Sequence, residues 1–347
     1  MATRRWGFTL LEMLVVIGII ALLVAIVFPA MSKARLRSQG VACLNHLREM
    51  GKAWDVYATE NEETLVPARP NDPQPPAPAD PDAPKPPAPN QYHVGNGIKD
   101  RPRWPAMLGP YMDTVAFNMP NAQDQRQDYD ADSYVCPTEP TWRDERNYAY
   151  GYNHLFLGNA RYTLNQYHHY PIKRHRIKAM SGTVVFADSL GTAAGFGTYK
   201  RGPYNNSGTA YDESGNHGYT LDAPRLTDRC DRGTGDPGSP RSAVHTRHQD
   251  RANVVFGDGH GAAMTPRELG YRQRPDGRFV DLDPDDPSGD NPSGGGSGAS
   301  GSLNDPHQDD DDMRYISAQV PGSGDFANNS MFSGSGRDDD PPPVPGK

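Results

Sequence analysis

Gly7-Phe8-Thr9-Leu10-Leu11-Glu12 opens an apolar run that continues from Met13 to Phe28, and the reading of this stretch decides the fold. Between Phe8 and Phe28 the only ionisable side chain is Glu12. A helix of about 21 residues, rising 1.5 Å at each, is about 30 Å long, the hydrocarbon thickness of a bilayer. The segment is expected to span a membrane. A carboxylate inside such a helix is costly until a positive group meets it, so Glu12 is a functional candidate that calls for a cation nearby.

Working outward, Pro29 lies just past the membrane length, where it removes one helix hydrogen bond and favours a kink. Beyond it Leu36, Gly40, Cys43, Leu47, Met50, Trp54 and Tyr57 recur at alternating steps of four and three, the stripe of an amphipathic helix. The opposite face, with Arg35, Arg48, Glu49, Lys52 and Asp55, is expected in solvent or against neighbouring subunits. These signs predict one helix from about Phe8 to Asn61, with residues 8–29 in a membrane and 30–61 packed on a sheet.

Arg4 and Arg5, then Gly7 followed by Phe8, then Glu12 five residues into the chain that would remain, resemble the processing site of type IV pilins and type II secretion pseudopilins. The resemblance implies an α+β fold, a long N-terminal helix on a small antiparallel β-sheet. It implies that residues 1–7 are a leader, that a prepilin peptidase cuts after Gly7, and that Phe8 becomes the methylated N-terminus. Glu12 would then meet the terminal ammonium of a neighbouring subunit, and Pro29 would match the family's kink proline. The implied partners are the peptidase, other pilin or pseudopilin subunits, the inner membrane and the assembly machinery, with the chain in a pilus or a secretion pseudopilus. Arg4 and Arg5 are balanced by Lys33, Arg35 and Arg37 across the run, so the N-terminus-inside orientation, with the C-terminal domain outside the cytoplasm, comes from the resemblance alone. Two rivals are an ordinary signal anchor, which has no reason to keep Glu12, and a twin-arginine signal at Thr3-Arg4-Arg5, which lacks a clean small-x-small cleavage site.

Composition limits the rest. Pro and Gly make up about a fifth of the 347 residues, and only 35% are hydrophobic, so a large core is not expected. The net charge of −8 is uneven, with acidic runs at Asp309 to Asp312 and Asp338 to Asp340. Residues 284–347, dominated by Ser, Gly, Asp and Pro, are expected to be a disordered tail, and 67–90, dense in proline, a polyproline-like excursion. The three cysteines, Cys43, Cys136 and Cys230, imply no disulfide framework, although Cys136 and Cys230 are candidates to pair outside the cytoplasm.

Within the domain assigned to 62–283, Thr64 to Pro67 reads as the start of a strand, and Trp104 to Met112 as a short helical turn. Tyr134 to Pro137 and Asn147 to Asn153 read as extended segments, and Gly191 to Pro240 as long surface loops. Val184 to Ser189 and Val254 to Gly259 resemble each other as buried strands. Asp258-Gly259 suits a two-residue turn with positive φ, and a closing hairpin is expected there.

His248, nine residues, then Asp258-Gly259 is similar to the His-x9-Asp-Gly marker of a bacterial family in which a prepilin-type N-terminus precedes a domain of unassigned role. A single strand would hold His248 and Asp258 about 30 Å apart, so the plain expectation is that Asp258 makes a turn while His248 caps or packs the strand's entrance. A sharper one pairs Asp188 with Asp258: were their strands parallel neighbours, two carboxylates on one edge would suit Ca²⁺, as in a loop of some pseudopilins. Apart from that cation no cofactor is implied. No catalytic residue is assigned: the spacing of His245, His248 and His260 fits no established zinc pattern, and neither Gly-x-Ser-x-Gly nor a phosphate loop is present. The basic, aromatic stretch Tyr167 to Lys178 is more often a solvated loop than a nucleic-acid contact. The expected function is therefore a non-catalytic filament subunit. The alternatives are a membrane-tethered binding module that never polymerises and, more remotely, a surface metalloenzyme.

Overall fold

The computed structural model describes residues 10–68, 103–112, 132–140, 142, 148–158, 170–191, 218–224, 242–271 and 330–335, and the backbone of 91–93, 98–100, 160–163, 166–169, 272–273 and 279–280. Helix α1, Leu10–Glu60, is 51 residues long and runs unbroken across Pro29. It is followed by strands β1 (Gln91–His93) and β2 (Ile98–Asp100), helix α2 (Trp104–Leu108), and strands β3 (Tyr150–Tyr152), β4 (Ala160–Thr163) and β5 (Gln166–His169). Strands β6 (Val184–Gly191), β7 (Ala243–Val244), β8 (Ala252–Phe256), β9 (Gly261–Met264), β10 (Arg272–Gln273) and β11 (Phe279–Val280) complete the order.

The main sheet has five antiparallel strands in the order β3-β6-β8-β9, with β7 also paired to β6. Strand β6 is buried along its whole length, as a central strand covered on both faces must be, so its sequence opens on the apolar run Val184 to Ala187 without alternation, and Asp188 and Ser189 are buried with it. Helix α1 lies across β6, β8 and β9. Cys43, Leu47, Met50 and Trp54 of the predicted stripe are buried there, with Tyr57 beside them and Gly40 half-buried. Leu36 is 49% exposed, so the stripe begins a turn later than its periodicity suggests. Arg48 departs from the expected outer face: it is half-buried and its Nη2 donates to the Gly261 carbonyl of β9 at 3.2 Å.

By length and composition α1 is able to cross a membrane, and none of its most apolar stretch is buried within the chain. The other end of the helix is clamped. Arg174 bonds Asp55 and Glu63, and the Lys173 ammonium donates to the Glu62 carbonyl at 2.6 Å and to Thr64 Oγ1 at 2.8 Å. Within the basic stretch read as a solvated loop, Lys173 and Arg174 hold the end of α1 and the turn after it and Ile172 and Ile177 are buried, while His175, Arg176 and Lys178 are exposed as expected.

Several local readings are corrected. Thr64 makes one bridge, to Lys173, and Leu65 and Val66 are buried without forming a sheet strand. Asp132 to Tyr134 is a 3-10 turn, because Tyr134 turns inward to donate its hydroxyl to the Pro105 carbonyl at 2.9 Å. Within the expected surface loops, Tyr219 to Ala223 is buried, and Thr220 bridges β3 at Tyr152. The excursion leaves at Ala68 and is back beside it at Trp104, whose N–H donates to the Ala68 carbonyl at 2.9 Å; residues 69–90 lie outside the described residues. The folded part also does not stop at the β8–β9 hairpin, since Tyr271 and Phe332 are buried, the latter deep in the segment read as tail.

Candidate functional site

The residues singled out in the sequence fall into three places. Gly7 and Phe8 lie outside the described residues. Glu12 stands in the first turn of α1, on its exposed length, and Pro29 inside the same helix. Asp188, His248, Asp258 and Gly259 all belong to the sheet, at its two ends.

The antiparallel register separates the two aspartates. Ala187 lies opposite Val254 and Val184 opposite Phe256, so Asp188 faces the start of β8 while Asp258 follows its end, roughly 15 Å away. The parallel arrangement needed for a shared two-carboxylate Ca²⁺ site is therefore not formed. Each aspartate is also occupied: Asp258 Oδ1 accepts from the His260 N–H at 3.1 Å and faces its Nδ1 at 2.6 Å. Partial burial raises the Asp258 pKa, and the hydrogen bonds and charge of His260 together outweigh it, holding the carboxyl below its ordinary value.

The spacing of nine has a structural meaning. His248 and Arg251 exchange N–H to carbonyl bonds at 3.2 and 3.3 Å around Gln249 and Asp250, both at positive φ, the geometry of a two-residue turn of the primed kind. Five strand residues follow, and then a second turn. That turn is a three-residue loop, Gly257 to Gly259, with Gly259 at φ +85° and the Phe256 N–H donating to the His260 carbonyl at 2.9 Å. It is not the two-residue turn expected, because only Gly259 takes positive φ there. His248 and Asp258 thus stand at the two turns that bracket β8.

At the first turn a buried polar centre forms. Asp188, wholly buried, accepts from Arg247 Nη2 at 2.5 Å through Oδ1 and from the Asn253 N–H at 2.7 Å through Oδ2, with His248 Nε2 at 3.4 Å from the same oxygen. Arg247 further donates to the Ala149 carbonyl at 2.6 Å and approaches His245 Nδ1 at 3.2 Å, and its guanidinium lies over the rings of Trp142 and Tyr150. Burial pushes the Asp188 carboxyl up to about 6, against the pull of the Arg247 charge and the Asn253 N–H. Burial, followed by the Arg247 charge, pushes the His248 imidazole down to about 4. At neutral pH the centre therefore holds one ion pair and a neutral histidine. His248 Nδ1 has no hydrogen-bond partner among the described residues, and its Nε2 is the nitrogen that faces Asp188.

This centre fastens α1 to the sheet. Asn253 Nδ2 donates to the Gly40 carbonyl at 3.0 Å, and Cys43 of the helix is disulfide-bonded to Cys136, across a Cα separation of 5.5 Å. Cys136 Sγ sits 3.5 Å from His248 Nε2 and 3.3 Å from Arg247 Nε. The pairing corrects the candidate pair Cys136 and Cys230; Cys230 lies outside the described residues. Among the described residues Cys43, Cys136 and His248 form the one group with metal-ligand chemistry, their donor atoms within 4.8 Å of one another. With both sulfurs joined to each other, neither is a thiolate, and the Arg247 charge beside them opposes a cation.

The three histidines weighed as a metal site do not converge. His245 lies over Trp142, ring centroids 5.2 Å apart, His248 is in the centre just described, and His260 stacks on Phe256 at the far turn, 4.3 Å between centroids. Sequence reasoning passed over Arg247, Asn253 and the Cys43 pairing. Only Cys43 carried a signal, its place on the inner stripe of α1.

The architecture is pilin-like: a long apolar N-terminal helix whose second half packs on an antiparallel sheet. Comparison with protein-family models, with curated proteins and with solved structures found no match for this chain.

Proposed function

We propose that this chain is a non-catalytic subunit of a helical filament, a pilin or pseudopilin, cut after Gly7 by a prepilin peptidase, methylated at Phe8 and held in the inner membrane before assembly. The observation that supports the reading is the division of α1: an exposed apolar half continuous with a half fastened to the domain by the Cys43–Cys136 disulfide and to the sheet by the Asn253–Gly40 hydrogen bond. A helix that only anchored the domain needs no such fastening, whereas a helix that bundles with its neighbours must carry the domain with it. In this reading the Phe8 ammonium of one subunit meets the Glu12 carboxylate of the next. Pairing neutralises two charges in a low-dielectric bundle, where each alone is costly.

Two measurements test the proposal. Intact mass of membrane-extracted protein, made beside a matching peptidase, should lack Met1 to Gly7 and carry one methyl group. Glu12→Gln and Glu12→Ala subunits should insert normally yet enter sheared filaments poorly beside wild type. Undiminished assembly would sink the reading and favour a tethered module.

A further inference from the structure

Between Glu12 and Glu49 helix α1 carries no acidic side chain. Lys33, Arg35 and Arg37 lie in that interval, all three exposed, and none of them meets an acid or a hydrogen-bond partner among the described residues. Elsewhere the fold matches its arginines: Arg174, Arg247 and Arg251 each meet a carboxylate. Cations this close on one helix repel one another, so the group that neutralises them must come from outside the chain.

Their position along α1 points to what that group is, on the reading that the apolar half of the helix spans a membrane. A hydrocarbon layer of about 30 Å ends near Pro29, and the headgroup layer takes up about the next 5–8 Å. Lys33 lies about 6 Å beyond Pro29 along the axis and Arg37 about 12 Å. Each Cα–Cβ bond of a helix tilts toward the N-terminus, here the membrane side, so these long side chains lean back into the headgroup layer. Around the axis Lys33 and Arg37 stand about 40° apart, while Arg35 is on the opposite side, about 160° from each. A protein partner approaching from one side would reach only part of this set, whereas a headgroup layer surrounds the helix and reaches all of it. We propose that Lys33, Arg35 and Arg37 form a collar that binds the phosphate groups of anionic phospholipids and fixes the depth of α1 in the bilayer. The two arginines suit phosphate oxygens through their paired N–H donors, and the lysine adds a point charge. In the processing proposed above Arg4 and Arg5 leave with residues 1–7, after which the collar holds the only side-chain cations that flank the apolar run.

The test uses the full chain reconstituted in vesicles of phosphatidylcholine alone and of phosphatidylcholine mixed equally with phosphatidylglycerol. Amide exchange over residues 31–38, read by mass spectrometry, should be at least about threefold slower in the mixed vesicles, and about 1 M salt, where the Debye length is about 3 Å, should remove the difference. Spin-labelled phosphatidylglycerol should be immobilised by the chain in preference to spin-labelled phosphatidylcholine, by at least about threefold. Lys33→Gln, Arg35→Gln and Arg37→Gln together should abolish most of that preference, whereas Arg35→Lys with Arg37→Lys should keep it. Arg4→Gln with Arg5→Gln should leave the slowing over residues 31–38 unchanged, which separates the collar from the basic pair on the other flank. Flotation with the vesicles and an intact Cys43–Cys136 bond show that the glutamine variant is inserted and folded. Equal exchange in the two bilayers, or a lipid preference undiminished in the glutamine variant, overturns the proposal. A chain that floats with both vesicles yet shows no preference overturns the collar and leaves the membrane reading standing, while one that floats with neither overturns both.

Discussion

His248 Nε2 lies 3.4 Å from Asp188 Oδ2, and burial moves the two groups in opposite directions, Asp188 up to about 6 and His248 down to about 4. For Asp188 the folded value exceeds the unfolded one, so its contribution to stability is present at low pH and is lost as pH rises from about 4 to about 6. For His248 the folded value is the lower one, so its contribution grows from about pH 4 to about 6.5. Each amounts to about 3 kcal/mol, and over the shared window they oppose each other. Urea midpoints of the wild type should be nearly flat between pH 4 and 6. Asp188→Asn should make stability rise with pH across that window and His248→Gln should make it fall. Parallel slopes in the two variants would refute the opposing shifts.

The two halves of the His-x9-Asp-Gly pattern should behave independently. His248 is buried against the disulfide and Asp188, whereas Asp258 lies on an exposed turn with His260. We expect Asp258→Ala to cost less than about 1 kcal/mol and His248→Ala about 1–3 kcal/mol, since it strips a partner from a buried carboxylate. The double variant should lose the sum of the two. A clear excess over that sum in denaturant unfolding would mean that the two residues share a site after all.

The disulfide closes a sequence separation of 93 residues between Cys43 and Cys136. Removing a link of this kind typically costs about 2–5 kcal/mol. Cys43→Ser, Cys136→Ser and the double replacement should lose similar amounts, because each opens the same loop. Non-reducing peptide maps should join the peptides of Cys43 and Cys136 and leave Cys230 as the thiol that alkylates. A Cys136–Cys230 peptide in that map would contradict the pairing.

Gly151 stands where β3 meets both β6 and the Thr220 bridge. A Cβ there would fall 2.9 Å from Ser189 Cβ and collide with the Thr220 carbonyl, which cannot swing aside as a side-chain end can. Gly151→Ala should cost about 1–3 kcal/mol by overpacking. At Gly259 nothing lies within 4 Å, and alanine meets only the positive φ of +85°, a strain of about 1–2 kcal/mol. Local hydrogen exchange separates the two: the first change should loosen β3 and Tyr219 to Ala223, the second only the β8–β9 turn.

What could be read from the chain itself was whatever depends on near neighbours. The apolar run behind Glu12, the stripe from Gly40 to Trp54, the buried runs that became β6 and β8, and the turn at Gly259 all follow from periods of 3.6 or 2 and from the φ that each residue tolerates. The same local logic missed the turn at Gln249 and Asp250, because Gln249 carries no positive-φ signal and Asp250, with no glycine after it, carries only a weak one.

The centre at Asp188 was decided by tertiary structure. Whether β6 and β8 run parallel or antiparallel determines whether Asp188 meets Asp258 or Arg247 and His248, and no local period encodes strand direction. The partner of Cys136 depended in the same way on which face of α1 lay over the sheet. Phe332 is the extreme case: an isolated aromatic in a stretch of Ser, Gly and Asp carries no periodic signal, and its burial follows only from a groove assembled by Asn153, Val184 and Tyr271 from distant parts of the chain. Secondary structure was legible because its forces act over a few residues. The site was not, because its groups meet only after the chain has closed loops of many tens of residues, whose cost grows so slowly with length that the sequence favours no one closure over another.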